Sequence, residues 1–170
     1  EIVHAAALSE GFSFYVAYGR TETSIDVDAI HVEEANGEKL YSMNEACEAI
    51  REKLGRKLVV VGACTGFDAH TVGIDAIMNM KGYNHHYGLE RYPAFEVHNL
   101  GSQVPNEALL ARVKAVDADA VLVSQVVTQK DVHLGNLAEW VDMVEAEGLR
   151  DRLLLVCGGP RITHEIALEM

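Results

Sequence analysis
Apolar and polar positions repeat with two different periods along this chain, and the change falls near residue 55. Residues 1–35 carry short alternating runs. Phe12, Phe14, Val16 and Tyr18 alternate with small or polar neighbours, and Ile25 and Val27 alternate again after a Gly19–Glu22 turn. That pattern predicts an antiparallel hairpin with one buried face. A helix follows: Ser42 and Glu45 are spaced as a capping box, Ala46, Ile50 and Leu54 give an apolar stripe, and Gly55 stops it. Residues 1–55 therefore read as an N-terminal α+β segment, and 56–170 as a second domain.

From Arg56 the chain alternates strand and helix. Leu58–Ala63 is a continuous apolar run, the signature of a strand buried on both faces. Strands are also predicted at Phe95–Leu100, Ala120–Val127 and Leu153–Cys157. Helices are predicted at Gly73–Met80, from Pro105 to Val116, from an Asn136 cap to about Glu147, and from Ile162 onward. Four βα units imply an α/β fold, a doubly wound parallel sheet with right-handed crossovers. Such sheets often have a fifth strand. The chain opens at Glu1 and stops within a helical pattern at Met170, so the domain is expected to be truncated at its C-terminus.

Composition narrows the class. Of 170 residues, 49% are apolar and 24% charged, which suits a folded globular chain. The 26 acids exceed the 14 bases, and a net charge of −12 repels phosphate backbones. A nucleic-acid or anionic-membrane partner is not expected, and no apolar run has membrane-spanning length. Cys47, Cys64 and Cys157 are odd in number and lack metal-ligand spacing, which favours a reducing, cytoplasmic setting.

In open α/β sheets, ligands bind beyond the carboxyl ends of the strands. The loops there are 64–72, 101–104, 125–134 and 158–163. The first contains Asp68-Ala69-His70-Thr71-Val72-Gly73. A carboxylate two residues before a histidine can hold one imidazole nitrogen and leave the other free for a metal. Gly73 lets the next helix start close to a large ligand. The same spacing also suits a histidine that caps the helix or bonds its own loop. Ser124-Gln125-Val126 ends the third strand and Gly158-Gly159 follows the fourth, so small residues open a slot beside the first strand.

These three motifs together resemble the cobalamin-binding domain, in which Asp-x-His-x-x-Gly, Ser-x-Leu and Gly-Gly recur on a flavodoxin-like, Rossmann-type sheet. Val126 stands where leucine is usual. The resemblance implies that His70 ligates cobalt, that Asp68 supports it, and that Thr71, Val72, Gly73, Ser124, Val126, Thr128, Gly158 and Gly159 contact the cofactor. The displaced dimethylbenzimidazole tail would lie in the slot.

The stretch from Asp68 to Pro160 is more closely similar to the aminomutase family of lysine 5,6-aminomutase β subunits and the matching domain of D-ornithine 4,5-aminomutase. Lys81 lies eleven positions after His70, and a lysine there in that family forms the Schiff base with pyridoxal phosphate. The bland reading is a solvated lysine near a helix end. Schiff-base chemistry needs a neutral amine, and Ile77, Met80 and Tyr83 are expected to desolvate it. The resemblance implies adenosylcobalamin and pyridoxal 5′-phosphate as cofactors, and radical migration of a terminal amino group of lysine or β-lysine to the adjacent carbon. It also implies a TIM-barrel α subunit as partner, homo-association of that heterodimer, residues 1–55 serving association, and a domain tethered open through Lys81 until substrate releases it.

The runner-up is a corrinoid methyl carrier of a methyltransferase system, which leaves Lys81 idle. A flavodoxin-like interaction domain without cobalamin would make all three motifs coincidental. Tyr83–Tyr87 reads as a surface loop or an active-site mouth, His133 as a loop residue, Cys64 as packing, and Trp140 and Met143 as core.

Overall fold
The first strand, β1 (Ile2–Ser9), is rich in alanine, and it pairs antiparallel with β2 (Phe12–Ala17) in the register His4↔Val16 and Ala6↔Phe14. The computed structural model describes residues 1–9, 12–20 and 41–170, and these fall in two units, Glu1–Leu40 and Tyr41–Met170. The hairpin is thus formed with the segment before β2, whereas the expected partner around Ile25 and Val27 lies outside the described residues. Its expected buried face is not buried: Phe14 and Tyr18 stand 47% and 71% exposed. Two strands alone cannot bury a face, which takes a third strand or a second surface.

The second unit begins with α1 (Met43–Leu54), so the division falls at 40/41 rather than at the expected 55/56. Its capping box forms as expected: the Ser42 N–H donates to Glu45 Oε2 at 2.9 Å, and the Glu45 N–H to Ser42 Oγ at 3.4 Å.

Four strands follow with their helices: β3 (Leu58–Cys64), α2 (Val72–Met78), β4 (Phe95–Asn99), α3 (Asn106–Val116), β5 (Ala120–Ser124), α4 (Val132–Ala146), β6 (Leu154–Gly158) and α5 (His164–Glu169). The sheet is parallel in the order β4-β3-β5-β6. Alternation along the strands sends side chains to two cores. Val61, Ala63, Val121 and Val123 pack with Leu109 and Val113 of α3 and Leu137, Trp140 and Val144 of α4. Val60, Cys64 and Ala120 pack with Ile74 and Met78 of α2 on the other face. The helices therefore cover both faces, as a doubly wound sheet requires.

Two boundaries differ most from the sequence expectation. β5 stops at Ser124 rather than Val127, because the Val126 and Val127 N–H groups turn to a side chain instead of a strand. α4 begins at Val132, so Asn136 lies inside the helix. His133, expected in a loop, is 3% exposed on that helix, and its Nδ1 has no hydrogen-bond partner among the described residues.

Candidate cofactor site
β3 and β5 are the central strands, and the chain winds outward from them in opposite directions, to β4 and to β6. A crevice opens where such a sheet switches direction. Cys64 pairs in register with Ser124, and Ser124 with Gly158, so three strands end level. The loop after β3 is laced to the one after β4. Gly66 N–H donates to Val104 O at 3.0 Å, Gln103 N–H to Asp68 O at 2.9 Å, and Val104 N–H to Cys64 O at 3.1 Å. Loop 101–104 thus backs the first loop.

Asp68 is the anchor of this arrangement. It is 1% exposed. Its Oδ1 accepts from the His70 N–H at 2.9 Å and faces His70 Nδ1 at 2.9 Å. Its Oδ2 accepts from the Val127 N–H at 3.0 Å and from the Val126 N–H. Burial pushes the Asp68 carboxyl up, but the bonds from Val127, His70 and Val126 outweigh it and hold the group below the usual carboxylate range. An ionised carboxylate only accepts, so Nδ1 carries the proton and Nε2 presents its lone pair outward. The His70 side chain is 60% exposed, which leaves that nitrogen accessible. The loop-bonding role weighed for His70 is therefore served by Nδ1, which leaves Nε2 for a different partner. Cys64, expected as packing, also donates its thiol to His70 O at 3.1 Å. Burial pushes this thiol up, keeping it a donor.

Beside this loop is a cavity of about 340 Å³, lined by Gly73, Ile77, Leu122, Ser124, Val126 and Gly159 among others. That volume is at the small end for ligand pockets. Ile77 and Val156 are 53% and 45% exposed, so its walls are apolar surface open to a flat group. A Cβ at Gly73 would sit 3.8 Å from Ser124 Oγ, and one at Gly158 would meet nothing within 4 Å. Gly159 is different: a Cβ there would lie 1.8 Å from Gln125 O. Only glycine lets these two backbones touch. An apolar slot lined by Gly73, three residues on from an imidazole with one nitrogen left over, would suit a corrinoid: His70 would hold the metal, and the slot would take an apolar part of the cofactor. Thr71 precedes α2, Val72 is 82% exposed at its first position, and Thr128 is half-buried before a 3₁₀ turn.

Lys81 lies three residues beyond α2 on a different surface. Gly82, at φ 66°, turns the chain back so closely that a Cβ would lie 1.8 Å from His86 O. Tyr83 and His86 then exchange two backbone hydrogen bonds of 2.9 Å, with Asn84 and His85 at φ 47° and 66° between them. That is a two-residue primed hairpin turn. The Tyr83–Tyr87 run is thus an exposed turn. Lys81, Tyr83, Asn84, His85 and Tyr87 line an open recess of about 620 Å³. The expected desolvation of Lys81 is not present: it is exposed, as are Met80 (55%) and Tyr83 (75%), and Ile77 lines the slot instead. The recess offers an amine with aromatic and polar groups, and its lining includes no helix N-terminus or second cation to grip a phosphate.

Sequence reasoning missed Thr65 and Gln125, both fully buried at this end of the sheet. The available signal was a polar pair, Ser124-Gln125, interrupting the apolar run 120–127. Among the described residues no three His, Cys, Asp or Glu side chains group as a metal cluster, and no helix is long and apolar enough to cross a membrane.

Comparison with known proteins follows the same division of the chain. Residues 1–34 match the dimerisation domain of D-ornithine 4,5-aminomutase. The chain is 56% identical over 169 residues to the lysine 5,6-aminomutase beta subunit of Acetoanaerobium sticklandii and 54% identical to that of Fusobacterium nucleatum. Each alignment covers 99% of this chain and 64% of the relative, so the chain spans less than two thirds of their length. A cobalamin-binding protein from Desulfitobacterium hafniense superposes with a TM-score of 0.53 at 25% identity, over 74% of this chain and 58% of that one. Residues 58–169 match the B12 binding domain, a span that takes in the whole four-stranded sheet, the slot, Asp68 and His70, and the chain belongs to that family.

Proposed function
We propose that this chain is the cofactor-carrying part of the β subunit of an aminomutase that moves a terminal amino group of lysine or β-lysine to the adjacent carbon. The observation that carries the reading is the His70 imidazole, pinned through Nδ1 by a buried carboxylate and open at Nε2 beside an apolar slot. Identity of 56% to a lysine 5,6-aminomutase beta subunit supports the reaction class.

Each residue then has a physical task. Asp68 keeps the Nδ1 proton in place and orients the ring, which raises the basicity of Nε2 toward cobalt. Val126 and Val127 fix Asp68 through their N–H groups, so the loop after β5 sets the height of His70. Ser124, Gly158 and Gly159 keep the slot open for the cofactor tail, and Ile77 and Leu122 supply its apolar walls. Gly73 lines the same slot, and Thr71, Val72 and Thr128 are assigned to contact the cofactor beyond it. Lys81 supplies the amine that holds pyridoxal 5′-phosphate, from an exposed position two residues before the Tyr83–His86 turn. When bound, adenosylcobalamin supplies a homolytically cleavable cobalt–carbon bond, and pyridoxal phosphate supplies a carbonyl that condenses with amines.

Lys81 is exposed here, so burial of that amine falls to a partner. We assign this to a TIM-barrel α subunit, against which the Lys81 surface would close and from which it would part between turnovers. The exposed Phe14 and Tyr18 of the hairpin serve association, in keeping with the match of residues 1–34 to a dimerisation domain. The free cysteines Cys47, Cys64 and Cys157 suit a reducing cytoplasm.

Borohydride reduction of the assembled holoenzyme tests the reading. A pyridoxyl group on the Lys81 peptide is expected. A label found only on the partner subunit would leave Lys81 idle, and no label on either subunit would favour a methyl-carrying corrinoid protein.

A further inference from the structure
Three strand ends lie level at Cys64, Ser124 and Gly158, and the next residues of the three chains are Thr65, Gln125 and Gly159. Gln125 is the hub among them. It is fully buried. Its N–H donates to Gly158 O at 2.9 Å, and its own carbonyl oxygen lies against Gly159, where a Cβ would come within 1.8 Å. Its Nε2 donates to Thr65 O at 3.2 Å and to Thr65 Oγ1. A carbonyl can only accept, so the NH₂ end of the amide must face Thr65. That leaves Gln125 Oε1 without a hydrogen-bond partner among the described residues. An apolar side chain of equal volume would fill the space without a buried unpaired oxygen. The amide is therefore an expensive choice for packing and a useful one for tying loops together.

What it ties bears on the ligand. Thr65 opens the turn that carries Asp68 and His70, and the Asp68 N–H returns to Thr65 O at 3.4 Å. The residues directly after Gln125, Val126 and Val127, hold the Asp68 carboxylate. One residue thus joins the turn bearing the imidazole, the strand end bearing Ser124, and the glycine pair at the far wall of the slot.

We propose that Gln125 is a positioning residue for the cobalamin site: its amide locks the Thr65–His70 turn to the Gly158–Gly159 turn, so that the imidazole and the slot stay in register. The proposal rests on the reading of His70 as the cobalt ligand. The register of a metal ligand against a rigid cofactor is sensitive to small shifts, and supporting residues of this kind are worth about 10- to 100-fold in affinity.

The test is Gln125→Leu in the full-length holoprotein, with added cobalamin as the probe. The expected result is a far-ultraviolet dichroism spectrum like that of the unsubstituted protein, with cobalamin affinity about 10-fold lower or more. At saturating cobalamin, the reduced Co(II) form should also show nitrogen splitting in a smaller fraction of molecules, a change that loss of general stability does not produce. Thr65→Val keeps the volume and removes one partner, so its affinity should fall about fivefold. The double variant should lose less than the product of the two, because both act through one contact. If Gln125→Leu fails to fold, Thr65→Val decides: lowered affinity supports the proposal, and unchanged affinity overturns it. A folded Gln125→Leu protein with unsubstituted affinity and splitting overturns the role of Gln125 alone. Absence of nitrogen splitting in the unsubstituted protein would overturn the His70 assignment beneath it.

Discussion

The turn after β3 and the turn after α2 each present one reactive side chain, and they are built in opposite ways. The His70 turn is held from inside: a 1% exposed carboxylate, a buried thiol and backbone groups from two neighbouring loops all converge on it. The Lys81 turn is held mainly by its own backbone, through Gly82 and the Tyr83–His86 pair, with the Met80 N–H donating to Glu90 Oε2 at 2.8 Å beside it, and its amine stands in solvent. Hydrogen bonds from a buried scaffold fix a ligand to a fraction of an ångström, which metal ligation needs. A self-contained surface turn can instead be covered and uncovered by another molecule. On the proposed reading, the metal-facing half of the site lies within this chain, and the amine-facing half is left for a partner to complete.

The two turns should respond independently. Lys81→Ala gives the largest effect: borohydride should trap no pyridoxyl label on this chain, while cobalamin affinity stays within about twofold, as for other exposed substitutions. A large drop in cobalamin affinity would mean that the turns are coupled. Asp68→Asn should reverse the pattern. Cobalamin affinity should fall about 10- to 100-fold in a spectroscopic titration, with Lys81 still labelled.

Next in size is a contrast between two adjacent glycines. Gly159→Ala drives a methyl group into Gln125 O, 1.8 Å away, and should cost about 1–3 kcal/mol in urea unfolding. Gly158→Ala meets nothing within 4 Å and should change stability by no more than about 0.5 kcal/mol. Equal effects would contradict the close backbone crossing at Gly159.

The smallest effect is acid sensitivity. Asp68 and Asp119 are both held below the usual carboxylate range. For Asp119 the main cause is the Arg56 guanidinium, with a fork of 2.7 and 2.6 Å. As pH falls through the ordinary carboxylate value near 3.9, the unfolded chain takes up protons that these groups refuse when folded. Stability should therefore be level above about pH 5 and fall below it, down through the depressed folded values. Asp119→Asn should flatten part of that decline in urea midpoints measured from pH 7 to pH 3.

Much of this was legible in the sequence. Leu58–Cys64 and residues 120–123 are apolar without interruption because strands between two helical layers have no wet face. Asp68, His70 and Gly73 are close in the chain, so their spacing alone carries their geometry. β1 was hidden because its Ala5, Ala6 and Ala7 have little strand propensity. The early start of α4 was legible in principle, since His133, Leu137, Trp140 and Val144 continue one helical stripe, but Asn136 resembles a cap. Gln125 could not be found by spacing. Its role depends on three strands ending level, and no short pattern encodes that register. Exposure of Lys81 matches the solvated reading of the sequence, and the expected desolvation fails because apolar neighbours in sequence need not be neighbours over the amine.

The central claim is that the buried Asp68 leaves His70 Nε2 free to bind cobalt. The most direct measurement is electron paramagnetic resonance of the Co(II) cobalamin-bound protein made with ¹⁴N- and then ¹⁵N-histidine. The account predicts nitrogen splitting of each cobalt line into three with ¹⁴N and two with ¹⁵N, lost in His70→Ala. A splitting that ignores the label, or survives loss of His70, would contradict it.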